Sequence, residues 1–546
     1  MTPKKVHIKS FGCQMNKLDT ALVASALAAA GWQLVERVKD ADAVLINTCS
    51  VREHAEARVF SHLGHLKHIK RTKPDLIVAV IGCMAQRLGP KLLEHDAVDI
   101  VCGPADIPQI PQILELKGSG TFSTPTNHGS SLPDAPKKQT GKMYRTPLIR
   151  SGFRHDGAEA SSVEYPASSI EHPVGWQPFA ERRAGSIRPL PSAKAATPTQ
   201  YTNDEIRAAT DQALEQFETA YGVAADPVPG QAFVRAMRGC DKFCSYCIVP
   251  YVRGREQSRR PQAILEQVRR LADSGVRQIT LLGQTVNSYE FKTSGRTYCL
   301  ADLLAMVAEV NGIEWIRFVT SYPQRKYYRE MLQAMADLDK VCHCMHMPAQ
   351  SGSDRILAAM NRRYTAAEYL DMLAEARDIV PGISLAGDFI VGFPGETDAD
   401  FAETAQLARA AGYHNCYVFQ YSPRPGTRAE KGLQDTVSAE IKQQRNVELL
   451  AVQEQISRQL AAEFQDRTVR VLVEGLSKKP AEGLGTIGHP QLTGRTEGDW
   501  IVVFNAPATL AGQFADIRIT RTSPLTLFGT CEASGARIEL PFIRVF

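Results

Sequence analysis

Apolar positions along this chain follow two periods, and the changes between them mark out its parts. In the first hundred residues, short runs of Val, Ile and Leu alternate with longer segments in which apolar residues recur every three or four. The runs Val6–Ser10, Ala43–Asn47 and Leu76–Ile81 predict buried strands. Leu18–Ala30, closed by Gly31, and residues 54–70 predict the helices between them. This alternation predicts a parallel sheet with right-handed crossovers. A further short strand is expected at Asp99–Val101.

The pattern lapses from about Lys117 to Pro229, where Ser, Pro, Gly and Thr dominate; this reads as a disordered insertion or long linker. Within it, Asp204–Tyr221, with Asn203 as N-cap, predicts a helix. Alternation resumes at Gln231. Strands are predicted at Ala232–Arg238, Arg277–Leu282, Trp315–Thr320, Val341–Met347, Ser384–Val391 and Asn415–Tyr421. Helices such as Pro261–Ser274 and Asp398–Ala411 separate them. Six β/α units predict a parallel barrel or part of one, with its site at the carboxyl ends of the strands. Cys240, Gln284 with Asn287, Ser321, Gln350 with Ser351 and the GFPGE turn fall at those ends. Residues 436–465 predict a connecting amphipathic helix. Thr468–Glu474, Gly485–Ile487, Trp500–Phe504, Asp516–Thr520 and Leu525–Cys531 then predict a small β-barrel. The expected domains are 1–116, 117–229 (the insertion), 230–462, 463–532 and a tail at 533–546.

Composition changes little in this picture. With 546 residues, 44% apolar and 22% charged, the chain is ordinary for a globular protein. A formal charge of +4 restricts nucleic-acid contacts to local patches. No apolar run approaches the length of a membrane span, and MTPKKVHIKSFGC enters a strand without a signal-peptide core. A reducing cytoplasm is the expected setting for the 12 cysteines, which there read as metal or redox sites before disulfides.

The cysteines carry the candidate chemistry. Gly239–Gly254, GCDKFCSYCIVPYVRG, sets Cys240, Cys244 and Cys247 in a C-x3-C-x2-C run. Thiolates are soft ligands that suit zinc or iron–sulfur clusters. Structural zinc takes four protein ligands, and no fourth lies nearby. Three thiolates on a four-iron cubane leave one iron without a protein ligand. A zinc loop or buried thiols is the alternative. Cys13, Cys49 and Cys83 each lie just past a predicted strand of the first domain. Strand ends in such a sheet share one edge, so a second three-thiolate site is expected there, against the alternative of three structural thiols. Cys102 follows its own short strand but lacks the Gly-Cys or Thr-Cys turn of the others. His62, His65 and His68, and the group Cys342, His343, Cys344 and His346, read as packing or surface residues before metal sites.

Two further features point to ligands. The turn Gly392–Glu396 allows backbone amides to approach a ligand closely; the alternative is a tight strand–helix turn capped by Thr397 or Asp398. Arg253, Arg255, Arg259 and Arg260 follow the cysteine loop and are candidate RNA phosphate contacts, against a solvated helix start. Arg467, Arg470, Lys478, Lys479, Arg495, Arg518 and Arg521 make the last barrel basic, as in RNA-binding barrels.

Several motifs in order make the chain similar to the radical S-adenosylmethionine (SAM) methylthiotransferases. They are SFGCQMN (10–16), NTCSVRE (47–53), GCMAQR (82–87), the cysteine loop, LLGQTVNSY (281–289), MPAQSGSDRIL (347–357), IVGFPGET (390–397), YSPRPGT (421–427) and LTGRTEGDWIVVF (492–504). The resemblance covers all but the insertion. GCQMN and NTCSVRE look like the branch acting on isopentenyl-adenosine beside the tRNA anticodon, not those acting on threonylcarbamoyl-adenosine or a ribosomal-protein aspartate. Val252 replaces a usual Thr, Arg428 a usual Pro, and SYPQRK (321–326) a Ser-His-Pro start.

The resemblance implies an N-terminal parallel α/β cluster domain, a central partial (β/α)6 radical-SAM barrel and a C-terminal TRAM β-barrel. It implies two 4Fe–4S clusters. One, on Cys240, Cys244 and Cys247, would hold SAM and yield a deoxyadenosyl radical from it. The other, on Cys13, Cys49 and Cys83, would supply or carry sulfur, with a second SAM giving the methyl group. Gly392 and Glu396, with Gln284 and Ser351, would line the SAM pocket. The implied partners are the tRNA anticodon arm and electron- and sulfur-donor proteins, with a monomer favoured. From another class, the alternative is a non-catalytic iron–sulfur RNA-binding protein, although electron carriers normally have four ligands per cluster.

Overall fold

The computed structural model describes residues 3–49, 53–118, 148–150, 162–164, 203–221, 228–478 and 489–531. The chain divides into two compact units: Met1–Ala224 with Ile248–Gly254, and Ala225–Cys247 with Arg255–Phe546.

The strands Ala43–Thr48, Ile77–Gly82 and Ile100–Cys102 of the first unit are buried on both faces, as the unbroken apolar runs require. Val59, Leu63 and Leu66 of the helix Glu53–Thr72 pack on Val44, Ile46, Val78 and Val80. Leu45, Ala79 and Ile81, pointing the other way along the same strands, are equally buried. The strands Gln33–Leu34, Lys5–Phe11, Ala43–Thr48, Ile77–Gly82 and Ile100–Cys102 lie in that spatial order, all parallel. Phe11, Thr48 and Gly82 pair in one row at the carboxyl edge.

Two short strands, Leu148–Arg150 and Ser162–Glu164, extend the sheet antiparallel at its far edge. Both come from the stretch expected to lack structure. Edge strands are held by main-chain hydrogen bonds, so composition gives little sign of them. The helix Asn203–Tyr221 from the same stretch buries Leu214 and Phe217. It packs on the helix Gln14–Ala29.

In the second unit six parallel strands follow one another in chain order. Gln231–Arg235, Gln278–Leu282 and Trp315–Val319 form one ladder, and Cys344–His346, Ser384–Val391 and Asn415–Gln420 the next. A parallel bridge from Ile316 to Val341 joins them. The predicted strand Val341–Met347 is thus a bridge residue followed by a three-residue strand. Helices begin where the sequence supplies caps. Thr365 and Thr397 each accept from the backbone three residues on, closing capping boxes with Glu368 and Asp400.

The chain ends in a closed five-strand barrel of Thr468–Leu476, Gln491–Thr496, Ile501–Asn505, Phe514–Thr522 and Thr526–Cys531. Its second strand is Gln491–Thr496; the strand expected at Gly485–Ile487 lies outside the described residues, as does Lys479. Gly494 obscures the alternation there. It is required because a Cβ would lie 2.5 Å from the Leu472 carbonyl oxygen.

Candidate functional site

Beyond the row formed by Phe11, Thr48 and Gly82 the three strands deliver Cys13, Cys49 and Cys83 to one edge of the first unit. Gly12 and Gly82 make this approach possible. A Cβ on Gly12 would lie 2.9 Å from the Cys49 Cβ, and one on Gly82, at φ +94°, would lie 2.5 Å from Asn47 Oδ1. Two fully buried asparagines clasp the strand ends. Asn16 Nδ2 donates to Asn47 Oδ1 (3.0 Å) and to the Thr48 carbonyl (3.1 Å), and Asn47 Nδ2 returns to the Asn16 carbonyl (2.9 Å). A hydrogen bond from the Cys49 side chain and the nearby Arg253 charge hold the Cys13 thiol down at about 5 despite its burial. Burial pushes the Cys83 thiol up, partly offset by Arg253.

Arg253 arrives on the segment Ile248–Gly254, whose Ile248 and Val252 pack on Cys83. Its Nε donates to Cys83 Sγ at 3.2 Å and its Nη2 to Asp19 Oδ2 at 3.0 Å. The Arg253 guanidinium, a candidate phosphate contact by sequence, is thus engaged inside the first unit. Val252, a departure from the family pattern, is a core residue at this seam. Cys102 stays apart from the trio. It pairs with Ile81 inside the ladder, below the edge row.

In the second unit, the loop bearing Cys240, Cys244 and Cys247 turns through left-handed backbone at Gly239 (φ +68°) and Phe243 (φ +49°). Asn361 Nδ2 donates to the Phe243 carbonyl (2.8 Å), and Ser245 binds the carbonyls of Met360 (2.9 Å) and Ala359 (2.8 Å). Cys247 N–H donates to the Cys244 carbonyl at 3.0 Å. Arg362 lies 4.4 Å from the Tyr322 ring and 5.0 Å from the Tyr364 ring. Its Nη1 donates to Cys244 Sγ (3.4 Å) and its Nη2 to the Pro348 carbonyl (2.9 Å). Burial pushes the Cys240 thiol up to about 11, so a thiolate there requires compensating positive charge.

Both trios fit an iron–sulfur cluster by donor chemistry: three cysteines and an arginine donating to one sulfur. Among the described residues, no three His, Cys, Asp or Glu side chains are grouped to hold one metal ion. The side chains at 342–346 make packing and polar contacts. Cys342 sits against Trp315 and Leu472, His343 Nε2 lies 3.0 Å from the Met335 carbonyl, and His346 Nε2 lies 3.2 Å from Asp388 Oδ1. His62 packs on Phe11 and His65.

The remaining strand-end residues divide into engaged and available groups. Glu396 is buried, accepting from Gly392 N–H (2.9 Å) and Arg445 Nη1 (2.8 Å). It shapes the turn, with Thr397 as the helix cap. Gly392, at φ +71°, packs against Lys442. Ser351 is buried with its Oγ 3.3 Å from Thr404 Oγ1 and accepts from Ser353 N–H at 3.2 Å. Asn287 brackets Tyr322, donating to its carbonyl (2.7 Å) and accepting from its N–H (2.8 Å). Gln284 is half-buried. Ser321 Oγ is buried without a hydrogen-bond partner in the structure, a polar atom suited to a ligand such as SAM. Sequence reasoning placed Ser321 at a strand end but gave it no role; its burial is what singles it out.

Of the other arginines after the loop, Arg259 is buried and donates to the Arg235 carbonyl and Gln267 Oε1, both at 2.8 Å. Arg255 and Arg260 are exposed. Arg255 pairs with Asp241 at 2.6 Å. In the last barrel Arg495 is paired with Glu474 and Asp499, and Arg470 with Glu314. Arg467, Lys478, Arg518 and Arg521 are exposed. Among the described residues, no helix is long and apolar enough to cross a membrane.

The chain matches three families in order: Uncharacterized protein family UPF0004 over residues 5–103, the Radical SAM superfamily over 234–408 and the TRAM domain over 464–531. It is 38% identical over 527 residues to a tRNA-2-methylthio-N(6)-dimethylallyladenosine synthase of Rhodopirellula baltica, covering 96% of this chain and 95% of that protein. A Janthinobacterium protein of the same name is 37% identical over 533 residues, covering 96% and 98%. Among solved structures, the radical S-adenosylmethionine methyltransferase TsrM from Kitasatospora setae matches 79% of this chain and 77% of its own at TM-score 0.47 and 12% identity.

Proposed function

We propose a function on one premise: the chain belongs to the radical-SAM methylthiotransferases. It is an enzyme of that kind, and membership implies a 4Fe–4S cluster and SAM. We infer that it methylthiolates tRNA, at carbon 2 of N(6)-isopentenyl-adenosine beside the anticodon. The observation that carries this reading is the pair of cysteine trios, each with an arginine donating to one sulfur.

Cys240, Cys244 and Cys247 would hold the cluster that binds SAM, and Cys13, Cys49 and Cys83 a second. Bound there, these groups supply radical and sulfur chemistry at an unactivated C–H, which side-chain acids and bases cannot do. The protein's share is positioning. Asn16 and Asn47 lock the strand ends that present one trio, and Asn361 and Ser245 latch the loop that presents the other. Ser321 and Gln284 are assigned to SAM; Gly392 and Glu396 serve that pocket through the shape of their turn, and Ser351 through its bond to Thr404. Arg255 and Arg260, with Arg467, Arg518 and Arg521, are the exposed cations assigned to the tRNA backbone, where the anticodon loop offers unstacked bases. Arg255 can leave Asp241 for a phosphate, since solvent screens an exposed ion pair and leaves it weak.

The test is mass spectrometry of tRNA nucleosides from a host lacking its own enzyme and supplied with this chain. The expected result is the methylthio derivative of isopentenyl-adenosine. Accumulation of a methylthio threonylcarbamoyl-adenosine instead would overturn the substrate assignment. C13A is expected to cleave SAM yet make no thiolated nucleoside; full thiolation by C13A rejects separate roles for the two trios.

A further inference from the structure

The guanidinium of Arg253 is among the most buried charges in the first unit, and no step proposed above uses it. The side chains of Arg253 and Asp19 are 7% and 1% exposed. A buried cation needs a partner, and the Asp19 carboxylate alone meets that need. The contact of Nε with Cys83 Sγ at 3.2 Å is additional. It is also directed. Ile248 and Val252 pack on Cys83 and fix the helix Val249–Arg253 against the trio, and Asp19 fixes the far side of the guanidinium fork. Only a planar fork reaches a carboxylate and a sulfur at once; lysine has a single point charge.

We propose that Arg253 is a positioning residue for the cluster assigned to Cys13, Cys49 and Cys83: it sets that cluster's reduction potential and retains its iron. The inference rests on that assignment. Net charge and hydrogen bonds to the sulfurs are the main levers a protein has on such a potential. Reduction adds one negative charge, so a desolvated cation beside a ligating sulfur favours the reduced form. The same hydrogen bond holds Cys83 in its ligating orientation.

The experiment uses the full chain carrying C240A, C244A and C247A, so that only the first trio can hold a cluster, reconstituted anaerobically with iron and sulfide. About four irons per chain are expected. In a potentiometric titration followed by electron paramagnetic resonance, R253M should lower the reduced-to-oxidised ratio at a fixed potential at least tenfold, about 59 mV for one electron. Iron release to a chelator should quicken. R253K, which keeps the charge, should recover part of the potential. The R253M/D19N pair removes both buried charges and carries the test if R253M alone does not fold; a smaller fall is expected, because the Asp19 charge goes with that of Arg253 and the loss of the sulfur hydrogen bond remains, and iron release should still quicken. An unchanged potential and unchanged iron release in that folded pair overturn the role of Arg253 while leaving the cluster assignment standing. A C240A/C244A/C247A chain that takes up no iron overturns both.

Discussion

Asp106 is a buried carboxylate whose charge state lies near neutrality. It is 3% exposed and accepts from the Gly103 N–H at 3.1 Å, and burial pushes its pKa up to about 7. An unfolded aspartate titrates near 4. Between those values the folded chain binds the extra proton, so stability is full below about pH 4 and falls as pH rises towards 7. The expected loss is on the order of 2–4 kcal/mol. D106N stays neutral at every pH and still accepts from Gly103 through its carbonyl. Urea midpoints measured from pH 4 to 8 should fall for the parent chain relative to D106N as pH rises; parallel profiles would reject the assignment. At this scale the sequence exposed the cysteines, because their spacing and turn context are local. It hid Asn16, Asn47, Arg362 and the true place of Arg253, because each acts on partners far away in the chain. A run of arginines reads as surface until packing shows Arg253 and Arg259 inside.

Among the elements, the turn after the strand Ser384–Val391 shows how a glycine motif works. Gly392 adopts φ +71°, and a Cβ there would lie 2.3 Å from Lys442 Cγ on the helix Ala439–Ala462. Lys442 is itself held by Asp435 at 2.6 Å, so it yields only in part. G392A should destabilise the chain by about 1–3 kcal/mol through backbone strain and overlap. It should also weaken SAM binding in calorimetry by displacing the turn, whereas wild-type stability and affinity would show the glycine to be incidental. Most strands and helices were readable from period alone. The exceptions share a cause: Leu148–Arg150 and Ser162–Glu164 are edge strands without an apolar signature, and Gln491–Thr496 is interrupted by a glycine that packing demands.

At the scale of the molecule, the closed barrel is built into the second unit. Trp315, Cys342 and Leu472 form a buried cluster with Phe514 against it, and the Trp315 and Phe514 rings meet edge to face at 4.7 Å. Arg317, buried below them, donates to the Thr496 carbonyl and to Gln278 Oε1. A chain ending at 463 would expose Trp315 and Cys342 and leave Arg317 short of an acceptor, a loss of about 1–3 kcal/mol for that group alone. Light scattering should show it aggregating, with a lower Tm than the full chain. A monomeric fragment of unchanged Tm would make the barrel a detachable appendage. The order of the parts along the chain was legible in the sequence, but this seam was not, since neither side carries a motif.

The chain leaves the second unit after Cys247, lends seven residues to the first and returns at Arg255. No single cut therefore releases either unit whole. A fragment ending at 224 would keep Cys13, Cys49 and Cys83 but lose Ile248, Val252 and Arg253, which cover Cys83. Recombination that swapped the front half for a relative's would pair each half with a foreign counterpart at this loop. The two units must be inherited, and exchanged, as one piece.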